Sequence, residues 1–295
     1  MTMLNPIKKI LVAIDPGPAS QMAFRQALRL ASSMQAKLTA ISVSPRYEGN
    51  MHRWQIRDTD DMDLPFKKCL QEAVRHTSSL GQSVCAVHRR GEPAEEIVTL
   101  AEEEGIDLLL MGYPKRTYVE RVILGRTTAK VIGLSPCDVL MIPENSEVNF
   151  SRILVGVDGS PHSMAAGQRA LELAASYGGE VHGLTVLDVP VDRSLLYGVL
   201  DEARHKNFTA LQILARQGEK LAVPVITEMR EGSPYTNIVN YSEEKHIELI
   251  VLGSYGRTAF TRILMGSVVE RVAAISSLPT LVVKQTDSGT AGDAT

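Results

Sequence analysis

Ile247-Glu-Leu-Ile-Val-Leu-Gly253 repeats Ile106-Asp-Leu-Leu-Leu-Met-Gly112 at an offset of 141 residues. Upstream, Gly91-Glu-Pro-Ala-Glu-Glu-Ile-Val98 returns as Gly232-Ser-Pro-Tyr-Thr-Asn-Ile-Val239, again at 141. Lys9-Ile-Leu-Val-Ala-Ile-Asp15 returns as Arg152-Ile-Leu-Val-Gly-Val-Asp158 at 143. Downstream, Gly125 matches Gly266 and Ser135 matches Ser276, both at 141. The order is kept and the offset drifts by two residues. This is a duplicated domain, since solenoid units repeat every roughly 20–50 residues. A chain of 295 residues has room for two domains of the usual size. The polar stretch Glu144-Asn-Ser-Glu-Val-Asn149 marks the junction. The expected divisions are 1–146, 147–285 and a small, polar tail at 286–295 that is too poor in apolar residues to fold.

Each copy alternates strand and helix. In the second copy, Ile153–Val157 is a continuous apolar run, the mark of a strand buried on both faces. Ser163 is placed to cap a helix carrying Ala166, Ala170, Leu173, Ala174 and Tyr177 on one face, and Gly178-Gly179 stops it. The spacing then predicts a strand over 181–187, a longer helix from Leu195 to Gly218, and a strand over 223–230. Ser233-Pro234 opens the next helix, with serine as cap and proline in the first turn. A strand over 248–252, a helix over 268–275 after Gly266, and a strand over 280–283 complete the copy. Alternation of this kind predicts an α/β fold: parallel sheets with helices on both faces and right-handed crossovers. The last strands, Val139–Ile142 and Thr280–Val283, are apolar edge candidates that would seek a partner, either between the halves as a pseudo-dimer or between chains as a homo-oligomer.

Composition removes several function classes. Formal net charge is −3 and the aromatic share is 5%, so neither a basic stripe nor base-stacking platforms for nucleic acid are expected. Hydrophobic residues make up 44%, yet no apolar run approaches the roughly 20 residues of a membrane helix. The amino terminus runs directly into a strand-like segment, so no signal peptide is expected. Cys69, Cys85 and Cys137 are odd in number and form no CxxC pair, which reads as reduced thiols in a cytoplasmic protein.

Chemistry concentrates after the fourth strand. Gly253-Ser-Tyr-Gly256 is followed, nine residues later, by Gly266-Ser267-Val268. Two glycines three apart make a tight turn whose N–H groups can face a crevice. Gly266-Ser267 lies where a helix begins, and a helix start offers unpaired N–H groups and a positive dipole end to phosphate. Glycines after strands also serve simply as turns, and Gly266-Ser267 as a simple cap. No GxxxxGK[ST] loop occurs, and no GxGxxG follows the first strand. Asp158, after Val157 at the end of the first strand, is either a turn-forming carboxylate or an acceptor for ribose hydroxyls. Ligands of open parallel sheets bind at the carboxyl ends of strands where the order reverses.

The aspartate after the first strand, the GxxG-x9-G[ST] stretch and the ending Ser135-Pro-Cys-Asp-Val-Leu-Met-Ile142 together resemble the universal stress proteins, over nearly the whole chain as two tandem copies. The resemblance implies two five-stranded parallel sheets ordered 3-2-1-4-5 and, in the family's ATP-binding branch, ATP with Mg²⁺ in the crevice. By that resemblance Asp158 would contact the ribose and Val186 the adenine edge. Gly253, Gly256, Gly266, Ser267 and Val268 would hold the phosphates. Arg257 either adds charge there or is an ordinary surface arginine. The first copy departs from the pattern. Asp15 and Val43 remain, but the loop is Gly112-Tyr-Pro-Lys115, and Gly125-Arg126 replaces Gly-Ser. Lysine and arginine then fill the phosphate space or pair with a different anion, so the second half is the expected ATP site.

Seven histidines are scattered without HExxH or other ligand spacing, and no GxSxG elbow exists. The expectation is therefore a cytoplasmic stress-response protein, not an enzyme, that binds ATP and changes its interactions with a protein partner according to occupancy. Two alternatives stand beside it: a nucleotide-free scaffold that docks a partner, and a weak ATPase.

Overall fold

A computed structural model describes residues 6–46, 59–114, 125–188, 197–255 and 265–285. The chain divides into two compact units, residues 1–149 with 270–281, and residues 150–269 with 282–295.

In the first unit, strands β1 (Lys9–Ala13), β2 (Lys37–Pro45), β3 (Cys85–Gly91), β4 (Leu108–Tyr113) and β5 (Asp138–Pro143) alternate with helices α1 (Pro18–Met34), α2 (Thr59–Ser79), α3 (Pro93–Glu104) and α4 (Arg126–Leu134). Every pairing is parallel and the order is β3-β2-β1-β4-β5, the expected 3-2-1-4-5. Ile10 stands opposite Leu38 on one side and Leu108 on the other. Ile10, Leu11, Val12, Leu109 and Leu110 have no exposed surface, as helices on both faces require. The order reverses at β1, so a crevice opens at the carboxyl ends of β1 and β4.

Helix ends follow local chemistry. Glu92 caps α3 by accepting the Glu95 N–H, and Gly105 closes it in the left-handed region at φ 59°. Asp63 anchors α2 on the strands. Its carboxylate accepts from Arg90 Nε at 2.6 Å and lies 3.3 Å from Lys67 Nζ. The guanidinium beside it holds the Asp63 pKa at about 2.

The second unit repeats the plan with β6 (Arg152–Gly156), α5 (Pro161–Tyr177), β7 (Glu180–Leu187), α6 (Tyr197–Leu221), β8 (Val225–Glu231), α7 (Pro234–Glu244) and β9 (Leu249–Gly253). Parallel pairs run β8-β7-β6-β9. Helix α8 (Ser267–Ile275) and strand β10 (Thr280–Val283) end the described chain. On β7, His182 is buried between the Tyr241 hydroxyl at 2.9 Å and Glu180 at 3.1 Å. Burial pushes the Tyr241 phenol up to about 12, and Arg230 lies over its ring at 4.8 Å.

Several local expectations change. Ser160, not Ser163, caps α5: its hydroxyl accepts the Ser163 N–H at 3.2 Å, and Pro161 takes the first helical position. Ser233 holds the cap position of α7 without a side-chain cap bond. Helix α6 runs through Gly218 to Leu221, because Gly218 is a packing contact, not a stop. A Cβ there would lie 2.2 Å from Val225 Cγ2. Ala222, left-handed at φ 54°, ends the helix, and the Val223 N–H returns to Gly218 O at 2.9 Å. Val223 is thereby spent in the turn, and β8 starts two residues later than expected. The 286–295 tail lies outside the described residues.

Candidate functional site

In the second unit the Val157 N–H extends the ladder to Leu184 O at 2.9 Å, which carries the chain to Asp158 at the end of β6. Asp158 Oδ1 accepts the Ser160 N–H at 2.9 Å, and the Asp158 N–H donates to Ser163 Oγ at 3.2 Å. The first unit builds the same knot. Asp15 Oδ1 accepts the Gly17 N–H at 2.8 Å, and the Asp15 N–H donates to Ser20 Oγ at 3.1 Å. The turn role of both aspartates is thus real, and it orients each carboxylate at its strand end. Ser20 was missed in the sequence, and Ser163 was read only as a helix cap. The signal was present: an aspartate and a serine five residues on, in both copies at an offset of 143.

Gly253 ends β9 and Gly112 sits near the end of β4. A Cβ on Gly253 would lie 2.6 Å from the backbone C and O of His162, and one on Gly112 2.1 Å from Ala19 O. These glycines let the first turn of a helix press against a strand end. Neither is among the glycines with positive φ. Close packing by itself requires glycine at both positions.

Beyond Gly253 the Ser254 carbonyl accepts the Gly266 N–H at 3.0 Å, and the Ser254 N–H donates to Val283 O at 3.1 Å. The loop is thereby tied at its base, and α8 starts beside the end of β9. Gly266 spends its own N–H on this tie. The donors left to a ligand are the first-turn N–H groups of α8, at Ser267 and Val268, and the Ser267 hydroxyl. Ser267 is exposed and Val186 half-buried at the end of β7. Val157, Asp158, Val186, Gly253, Gly266, Ser267 and Val268 therefore all sit at or just beyond the carboxyl ends of β6, β7 and β9, or at the α8 start tied to β9. Gly256 and Arg257 lie outside the described residues, as does Lys115 of the first half.

The first unit holds a cavity of about 600 Å³ on the matching residues. Asp15, Val43, Gly112 and Gly125 line it, with Thr127 and Thr128 from the first turn of α4. Arg126 is exposed at the helix start and is not among the lining residues. Tyr113 stands where the second half has Ser254. Its hydroxyl donates to Ser276 O at 3.2 Å, and burial drives its phenol far above the ordinary range. The Tyr113 carbonyl accepts the Glu144 N–H at 3.1 Å, which sets Glu144 at the rim. The threonines and Glu144 were not foreseen, because neither belongs to the glycine pattern.

Comparison with known proteins follows the duplication. The model of the "Universal stress protein family" matches residues 6–143 and again 149–284. A universal stress protein of Methanocaldococcus jannaschii is 36% identical over 152 residues, covering 49% of this chain and 88% of that protein. One from Mycobacterium tuberculosis is 27% identical over 309 residues, covering 97% of this chain and 99% of that one. Among solved structures, a universal stress protein from Archaeoglobus fulgidus superposes with a TM-score of 0.73 at 19% identity, over 94% of this chain and 98% of the other, a likeness of fold.

Proposed function

The chain belongs to the universal stress protein family, and on that premise we propose that its second half binds ATP and that occupancy alters its interactions with a partner. One observation carries the reading. The Gly266 N–H to Ser254 O bond brings the start of α8 to the carboxyl end of β9, next to β6 and the oriented carboxylate of Asp158. A helix start offers unpaired N–H groups and about half a positive charge, and the small, exposed Ser267 leaves phosphate oxygens room to approach. The ribose hydroxyls would fall to Asp158 and the adenine to the Val186 side.

Among the described residues no three His, Cys, Asp or Glu side chains gather into a metal site. Mg²⁺ would accordingly arrive on the ATP phosphates, where it neutralises their charge. The role is binding in the cytoplasm, with any hydrolysis of the bound ATP slow. The arrangement would position phosphates, and among the described residues it offers no group placed to activate a water.

Calorimetric titration of the full chain with Mg²⁺–ATP tests this. About one ATP per chain is expected. Ser267→Glu keeps a good helix start, since a carboxylate suits the dipole, but sets a negative charge against the phosphates. It should weaken ATP at least tenfold without lowering the melting temperature. Unchanged affinity would overturn the assignment.

A further inference from the structure

Three successive residues at the end of β9 rest on one residue of α5. Gly253 packs against the His162 backbone. Ser254 Oγ meets His162 Nδ1 at 3.4 Å, long for a hydrogen bond. The Tyr255 ring supplements it, standing edge-on to the imidazole with centroids 5.3 Å apart and planes at 65°. Ser254 is 2% exposed, and its backbone groups are spent on Val283 O and the Gly266 N–H. The carbonyl that accepts from Gly266 belongs to the peptide bond joining Ser254 to Tyr255. His162 thus holds the side chain on each side of a peptide that ties α8 to β9. Because a peptide unit moves as a rigid plane, gripping both flanking side chains keeps its carbonyl aimed at Gly266.

The first half shows that the fold does not need this grip. Ala19 stands at the place of His162, and Tyr113-Pro114 at the place of Ser254-Tyr255. Gly112 still packs against the Ala19 backbone, so the glycine contact survives without an imidazole. Tyr113 sends its hydroxyl to Ser276 O instead. The imidazole contacts are therefore additions of the second half, made where the start of α8 is tied down. We propose that His162 is a positioning residue of the second half's nucleotide site: it fixes the Ser254–Tyr255 peptide, and through it Gly266 and the first turn of α8, before the phosphates arrive. This rests on the ATP reading above. Donors held in place beforehand spare the ligand the cost of ordering them, which appears as affinity.

Hydrogen exchange of the Gly266 amide in the nucleotide-free full chain, followed by NMR, reads the grip itself. Calorimetric titration with Mg²⁺–ATP reads its consequence. His162→Ala installs the residue of the first half and keeps the packing that Ala19 supports there. It should speed Gly266 exchange several-fold and weaken ATP about fivefold, the scale of one hydrogen bond, with the melting temperature little changed. His162→Asn keeps a polar atom where Nδ1 stood and should recover part of both losses. Ser254→Ala should act in the same direction, and the double variant should lose less than the sum, since both changes remove the same contact. A native rate of Gly266 exchange in His162→Ala overturns the proposal. Weaker ATP at a native exchange rate overturns it too, because His162 would then touch the ligand itself, and so do additive losses in the double variant. A native chain that binds no ATP overturns the ATP reading, whereas faster Gly266 exchange in His162→Ala upholds the grip independently of it.

Discussion

The two halves share a backbone plan and part company at the carboxyl ends of their strands. After β6 the chain turns through Gly159 at φ 75° to Ser160, whose hydroxyl caps α5. After β1 the matching residues are Pro16, which cannot reach positive φ, and Gly17, which has no side chain to cap α1. Ser254 and Ser267 in the second half correspond in sequence to Tyr113 and Arg126 in the first, and Lys284-Gln285 corresponds to Pro143-Glu144. The aspartate knot and the packing glycines are common to both. Duplication has therefore kept what holds helix to strand and varied what a ligand would meet.

The largest expected effect tests what is common. If Gly112 and Gly253 serve packing, alanine at either should damage stability. Gly112→Ala puts a Cβ 2.1 Å from a backbone oxygen, and Gly253→Ala puts one 2.6 Å from a backbone carbonyl. Backbone must move in both cases, at a cost of about 3 kcal/mol, the upper part of the overpacking range. In thermal unfolding of each variant this is a fall of roughly 10 °C, with Gly112→Ala the more severe. Loss of ATP binding by Gly253→Ala at unchanged melting temperature would mean that the glycine serves the ligand after all.

This outcome bears on what the sequence could disclose. The fold was legible because the duplication fixed the elements twice and the central strands β1, β4, β6 and β9 are apolar on both faces. Strand β10 has the bounds expected, and Gly178 ends α5 as expected at φ 71°. What stayed hidden depends on contacts distant in sequence. Gly218 looks like a helix stop until Val225 is seen against it. The packing role of Gly253 is invisible until His162 is seen behind it. The glycine pattern points to the second half, whereas the cavity in the first half follows from side chains such as Phe66 and Tyr113, whose placement no local motif encodes.

The next effect tests what differs. Ser267→Arg gives the second half the residue of the first, and Arg126→Ser does the reverse. The bulk of arginine at the helix start should weaken ATP about tenfold, measured by titration. Arg126→Ser should leave the stoichiometry at one ATP per chain, because Asp15 and Glu144 still line the first cavity. A second ATP gained by Arg126→Ser alone would show that position 126, not the acidic rim, separates the halves.

Smaller still is the cap. Ser160→Ala removes the acceptor of the Ser163 N–H at the start of α5 and should cost about 1 kcal/mol in denaturant unfolding. Gly17 in the other half makes no side-chain cap bond, and a Cβ there would lie 2.9 Å from Asp15 Oδ1, so no such cap can be added to it without disturbing the aspartate. An unchanged unfolding curve for Ser160→Ala would dissolve this part of the contrast.

The smallest effect lies in pH and belongs to the helix anchors on β3 and β8. In the first half Arg90 holds α2 through the buried Asp63; in the second, Arg230 reaches Glu244 on α7 at its exposed end. Asp63 has its pKa held at about 2, below the ordinary 3.8, chiefly by its bond to Arg90. A carboxylate whose folded pKa is depressed stabilises the fold fully above the unfolded value. That stability fades as pH falls from about 4 towards 2. The magnitude is modest, because the Arg90 and Lys67 side chains are 47% and 42% exposed and solvent screens the pair. Melting temperature measured from pH 6 to pH 2 should fall across that window in the native chain. In Asp63→Asn the fall should be shallower, from a lower starting value at pH 6. A curve for Asp63→Asn parallel to that of the native chain would show that this carboxylate does not carry the acid response.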